Sequence, residues 1–109
     1  MNKLWIAMIA VAGLAVGNAQ AAGDAAQGKE KAAVCSACHG ADGNTPLSPD
    51  YPKLAGQPHD YLEKALSDYK SGKRKNPLMG PQALNLSKQD IKDLAAYFSS
   101  LSGDLKVKY

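Results

Sequence analysis

The stretch Cys35-Ser36-Ala37-Cys38-His39 constrains this chain more than any other. Set at i, i+3 and i+4, its two thiols and its imidazole leave one side of a single helical turn. That spacing lets two sulfurs form thioethers along the vinyl edge of a haem while the next residue reaches the iron. Cys-x-x-Cys-His is the sequence signature of covalent c-type haem attachment. Three other readings use the same residues: a dithiol redox site, a zinc site and a plain disulfide beside an incidental histidine.

The surrounding sequence weighs against those three. A redox dithiol belongs in a thioredoxin-like βαβ setting, and no segment here reads as a strong strand. A closed zinc site needs four ligands. After Cys35, Cys38 and His39 the mature chain offers only His59, which stands alone behind Pro58. A lone cysteine pair becomes a disulfide in an oxidising compartment, but thioether formation would consume both thiols.

The start of the chain bears on that compartment. Met1-Asn2-Lys3 is a short positive opening, Leu4 to Val16 is an apolar run, and Ala19-Gln20-Ala21 supplies small residues at a cleavage-like position. This is the pattern of a secretory signal peptide. A spanning helix needs about 20 apolar residues, and the run stops short at Gly17-Asn18. Residues 1–21 are therefore expected to be a cleaved leader and 22–109 a single mature domain of 88 residues. The expected location is the periplasm.

Net charge is +3, or +2 once Lys3 is lost. No concentrated basic stripe marks a nucleic-acid binder. An alanine-rich domain of this size with one phenylalanine builds a thin core, and such domains often depend on a metal, a disulfide or a cofactor. A central haem would add the missing apolar mass.

The periodicity predicts an all-α fold: about three principal helices joined by long loops wrapped around one covalently bound haem. Asp24 is a good N-cap with Gln27 three residues on, opening a helix expected to run to about Cys35. Its face of Ala25, Gly28, Ala32 and Cys35 is small enough for close approach by another helix. From Gly40 to Gln57 no period appears, and Pro46, Pro49 and Pro52 forbid regular structure. Pro58 suits a first helical residue, and Leu62, Ala65, Leu66 and Tyr69 form an amphipathic stripe that Gly72 ends. Lys73-Arg74-Lys75-Asn76 should be exposed, and Pro77 to Pro81 reads as a stiff loop centred on Met79. Ser87 with Asp90 opens the last helix, whose face carries Ile91, Leu94, Ala95, Phe98 and Leu101. Gly103 is its expected stop, and the tail to Tyr109 is expected to be frayed or loosely docked.

If haem is present, His39 is its proximal ligand. The other ring nitrogen of a metal-bound histidine needs a fixed partner, and the Pro52 carbonyl is the choice among the proline-rich loop. The far side of the iron decides function. An open position permits gas binding or peroxide chemistry, whereas a filled one restricts the iron to electron exchange. Met1 and Met8 lie in the leader, so Met79 is the one methionine of the mature chain. A lone methionine is often core filler. Met79 instead sits between Pro77 and Pro81, outside any periodic segment, as an axial ligand would; His59 is the rival. Thioether ligation raises the potential relative to two imidazoles. Arg74 or Asn76 would pair with a haem propionate, with a solvated charge run as the plain alternative. Tyr51, Tyr61, Tyr69 and Tyr97 either line the haem or pack ordinarily. Lys53, Lys73, Arg74 and Lys75 form a candidate docking patch for an acidic partner.

The chain resembles the class I c-type cytochromes, particularly single-haem proteins similar to one half of cytochrome c4. The resemblance rests on Cys35-Ser36-Ala37-Cys38-His39-Gly40, Asp42-Gly43-Asn44 and Tyr51-Pro52-Lys53-Leu54-Ala55-Gly56-Gln57. It extends through Arg74-Lys75-Asn76-Pro77-Leu78-Met79 and Asp93-Leu94-Ala95-Ala96-Tyr97-Phe98. It implies one haem c, thioethers at Cys35 and Cys38, axial ligands His39 and Met79, a Pro52 carbonyl receiving the His39 ring proton, and crossing of the first and last helices. It also implies a periplasmic electron carrier rather than an enzyme. Its partners would be redox proteins, membrane respiratory complexes among them, with membrane contact at most transient. One Cys-x-x-Cys-His is present, so a two-haem function would require association. The alternatives are a haem enzyme or gas sensor with a labile sixth ligand, and a haem subunit of a larger oxidoreductase.

Overall fold

A computed structural model describes residues 23–105. The expected leader and the last four residues of the tail lie outside that range. Five helices follow in order: α1 (Ala25–Lys31), α2 (Ala33–His39), α3 (His59–Ser71), α4 (Met79–Leu84) and α5 (Lys88–Ser100). No strand occurs among the described residues, and none of their helices is long and apolar enough to cross a membrane.

Caps set most of the boundaries. Asp24, extended at φ −121°, ψ 111°, accepts from the amides of Ala26 and Gln27 and opens α1. Ser87 and Asp90 form a reciprocal capping box at α5, which satisfies amides that have no partner inside the helix. Gly72 closes α3 in the left-handed region at φ 84°, a conformation that favours glycine. Pro58 is the residue before α3 rather than its first.

Three further expectations change. The helix expected to run to about Cys35 is two helices: α1 ends at Lys31, the backbone flattens at Ala32 where ψ is −6°, and α2 carries on to His39. Hydrogen bonds cross the kink from Ala32 N to Gly28 O and from Ser36 N to Ala32 O, both 2.9 Å. The stiff loop expected around Met79 is in part helical, since α4 begins at that residue. The last helix ends at Ser100, before Gly103. Gly103 serves another purpose: a Cβ there would meet Asn44 Oδ1 at 2.7 Å and Ala55 Cβ at 3.0 Å. It lets the chain pass close over the 43–55 loop, where Asp104 N donates to Asn44 Oδ1 (2.9 Å) and Lys53 pairs with Asp104.

The frame is the crossing of α1 with α5, with α3 against α5 and α4 against α3. At the crossing a Cβ on Gly28 would lie 2.0 Å from the Asp93 carbonyl oxygen and 2.8 Å from Tyr97 Cβ. The small face of α1 thus meets α5 at backbone-to-backbone distance. Ala32, Leu62, Leu94, Ala95 and Phe98 form the core, with Cys35, Leu54, Leu66 and Tyr97 packed on it. Among the large side chains of the described residues, Leu94 alone is fully buried. The core is as thin as the composition implied.

Beside the crossing sits a polar clasp that the sequence reading did not single out. Asp93 is buried and accepts from Asp24 N (2.8 Å), Lys31 Nζ (2.6 Å) and Gln89 Nε2 (2.9 Å). Lys31 also reaches Asp90 Oδ1 at 2.8 Å. Burial pushes the Asp93 carboxyl up, but Lys31, Gln89 and the Asp24 amide outweigh it and hold it below its ordinary value.

Candidate functional site

The end of α2 carries the two cysteines and the histidine on one helical turn, terminated by Gly40 at φ 94°. A Cβ at Gly40 would lie 2.1 Å from the Thr45 carbonyl oxygen. The chain can therefore double back at once, and Leu47 N donates to Cys38 O at 2.9 Å. Both thiols are half-buried and unbridged. Burial against the core raises the Cys35 thiol above its ordinary value, and the neighbouring Cys38 adds to the effect.

His39 is buried, at 5 % exposure. Its Nδ1 lies 2.8 Å from the Pro52 carbonyl oxygen. A carbonyl can only accept, so Nδ1 carries the proton and donates, and Nε2 is left as the ring's lone-pair nitrogen. Tyr51 meets the imidazole edge to face, with ring centroids 6.3 Å apart. The loop that supplies these contacts is held from behind: Leu54 N and Ala55 N both donate to Gly43 O, and Gly56 N donates to Phe98 O. Its other side opens on a cleft of about 470 Å³ lined by Pro46, Leu47, Pro49, Tyr51, Pro52 and Lys53.

The remaining candidates come from other elements. Met79 is half-buried at the start of α4. Arg74 is exposed; its guanidinium lies 4.8 Å over the Tyr69 ring and donates to Tyr61 Oη at 3.4 Å. His59 is exposed and pairs with Asp60 (2.8 Å) and Glu63 (3.8 Å) on its own helix. Among the described residues, the groups close enough to share a metal ion are His59, Asp60 and Glu63. The four ligands that a zinc site would have used do not converge.

Two features match this constellation to a haem. The first is the donor set: a thiol pair, and an imidazole whose second nitrogen is already committed to a carbonyl. The second is a set of exposed apolar residues that adjoin those donors along the chain or through a backbone hydrogen bond. Val34 (62 % exposed) adjoins Cys35, Leu47 (77 %) is bonded through its backbone to Cys38, and Leu78 (60 %) adjoins Met79. Apolar groups of that size gain by covering one another or a ligand, and a large flat apolar group meets that need.

Comparison with known proteins agrees. The cytochrome c family model matches residues 25–102. Cytochrome c4 of Pseudomonas aeruginosa is 56 % identical over 100 residues, covering 92 % of this chain and 49 % of the relative. Cytochrome c-554(548) of Halomonas halodenitrificans is 51 % identical over 82 residues, covering 72 % of this chain and 98 % of the relative. The crystal structure of reduced recombinant cytochrome c4 from Pseudomonas stutzeri superposes with a TM-score of 0.71 at 48 % identity, covering 77 % of this chain and 48 % of that one. The chain spans about half the length of the cytochrome c4 relatives it matches.

Proposed function

The chain belongs to the cytochrome c family, whose cofactor is haem c with its iron, and from that premise we propose that it is a periplasmic carrier of single electrons. Haem c would supply the one-electron chemistry. Cys35 and Cys38 would hold the group by thioethers, and His39 and Met79 would ligate its iron. Pro52 O receives the His39 Nδ1 proton, which fixes the ring and raises the basicity of Nε2. Arg74 is the candidate partner of a propionate.

The observation that carries this reading is the 2.8 Å bond from His39 Nδ1 to Pro52 O. It ties a buried imidazole into one orientation and one tautomer, with both cysteines on the same turn. A ring so held needs little rearrangement when charge changes at a metal beside it. With Met79 as a second ligand the iron would keep no position for a substrate, and the protein would exchange electrons without catalysing bond chemistry.

Residues 1–21 act as the export leader, delivering both thiols to the compartment where haem attachment takes place. The partners are redox proteins that donate or accept the electron, a class that includes membrane respiratory complexes, with no nucleic acid. Lys73, Arg74 and Lys75 are exposed on the turn after α3 and suit an acidic docking surface. Lys53 is engaged by Asp104 and contributes less to such a patch.

The test is spectroscopic. The oxidised protein should show the weak near-red band of sulfur-to-iron charge transfer, and Met79→Ala should abolish it. Wild-type protein that lacks the band and takes up carbon monoxide readily when reduced would instead be a sensor or an enzyme with a labile sixth ligand. Stable co-purification with a larger oxidoreductase at moderate salt would make it a resident subunit.

A further inference from the structure

Between Gly72 and α4 the chain crosses an exposed stretch with no core contact of its own, yet it must deliver Met79 to one place. The backbone hydrogen bonds show how. Asn76 Oδ1 accepts from Leu78 N at 2.8 Å and from Met79 N at 3.0 Å. The carbonyl of the same residue accepts from Gly80 N at 2.9 Å. Pro77 and Pro81 have no N–H to give. Every amide from 77 to 81 is therefore either absent or bonded to Asn76. In capping terms, Asn76 caps the turn and Pro77 takes the first position after it, where a missing N–H costs nothing.

We infer that Asn76 is the positioning residue for Met79: its side-chain oxygen and its carbonyl set the backbone from which the thioether projects. The inference rests on the reading of Met79 as axial ligand. It assigns Asn76 a backbone task, not the propionate contact that the sequence alone allowed. Thioether sulfur is a weak, uncharged ligand, so its hold on iron depends on being kept in place. A residue that removes alternative backbone conformations lowers the entropy lost when the sulfur binds.

The test uses the haem-loaded protein with Asn76→Ala, Asn76→Gln and Asn76→Asp. Asp keeps an acceptor oxygen at the capping distance, whereas Gln keeps the amide but carries it one methylene too far. Removing a cap of this kind should raise the population with Met79 detached roughly five- to tenfold. The Ala and Gln variants should therefore capture carbon monoxide about that much faster when reduced and show a weakened near-red band when oxidised. Exchange of the Met79 amide hydrogen should accelerate in step, and the Asp variant should stay close to wild type in all three measurements. Asn76→Gln protein with wild-type capture rate and amide exchange would overturn the inference while leaving Met79 as ligand. A wild type without the near-red band would overturn the ligand reading and this inference together.

Discussion

Replacing Gly28 by alanine sets two effects of opposite sign against each other. Helix propensity alone favours the change by about 1 kcal/mol, because glycine is the poorer helix former. Packing opposes it. The new Cβ would fall 2.0 Å from Asp93 O, 2.6 Å from Asp93 C and 2.8 Å from Tyr97 Cβ. Ordinary carbon-to-oxygen contacts lie at about 3.3–3.6 Å, so α1 and α5 must separate by about 1.3 Å or more. The atoms in the way are backbone and a Cβ, none of which can swing aside as the end of a long side chain would. Overpacking costs about 1–3 kcal/mol, and an immovable neighbour places this case at the upper end. The net expectation is a loss of about 2 kcal/mol, or about 8–16 °C in Tm for a domain of this size. Thermal unfolding of the haem-loaded protein by far-ultraviolet circular dichroism measures it. A Gly28→Ala protein as stable as wild type, or more so, would refute the close crossing of the two helices.

The Lys31–Asp90–Asp93 clasp should make stability depend on acid. Asp90 is held low chiefly by Lys31, and Asp93 is held low despite its burial. Such carboxylates contribute fully above their unfolded pKa of about 3.9 and lose that contribution as pH falls through the lower folded values. Asp93→Asn should flatten the acid limb of an equilibrium unfolding series; an unchanged slope would mean that the clasp does not form in solution. Gly40→Ala combines a left-handed backbone with a Cβ 2.1 Å from Thr45 O, and the backbone term alone costs about 1–3 kcal/mol. The yield of covalently loaded protein, read by haem staining, should fall sharply. Intact mass of protein exported from a bacterial host should correspond to residues 22–109 plus one haem, with no thiol free to alkylate; a retained leader or a titratable thiol would contradict the export and attachment reading.

Much of the site was legible because its chemistry is local. Cys35, Cys38 and His39 meet on one turn as a matter of helical pitch, and the caps at Asp24, Ser87 and Gly72 act within three or four residues of themselves. Asn76-Pro77 carries the same kind of signal, an N-cap followed by proline. Met79 reads from sequence as a loop residue because Pro77 and Pro81 flank it, whereas it begins α4. Exposed polar character, visible at Lys73 to Asn76, does not separate a capping residue from a solvated one.

Helicity, a turn that offers two thiols and an imidazole in haem-binding register, and a methionine outside the expected leader can all be read from the order of residues alone. Periodicity, capping and spacing are properties of neighbours along the chain, so they survive without a fold. What the fold adds is the distance at which α1 and α5 meet, and the way Asp93 fastens Asp24 and Lys31 across more than 60 positions of sequence. Those contacts join residues that are strangers in sequence and become neighbours only when the helices cross. The Cys35–His39 turn names the cofactor; the crossing and the loop behind it fix the imidazole's orientation.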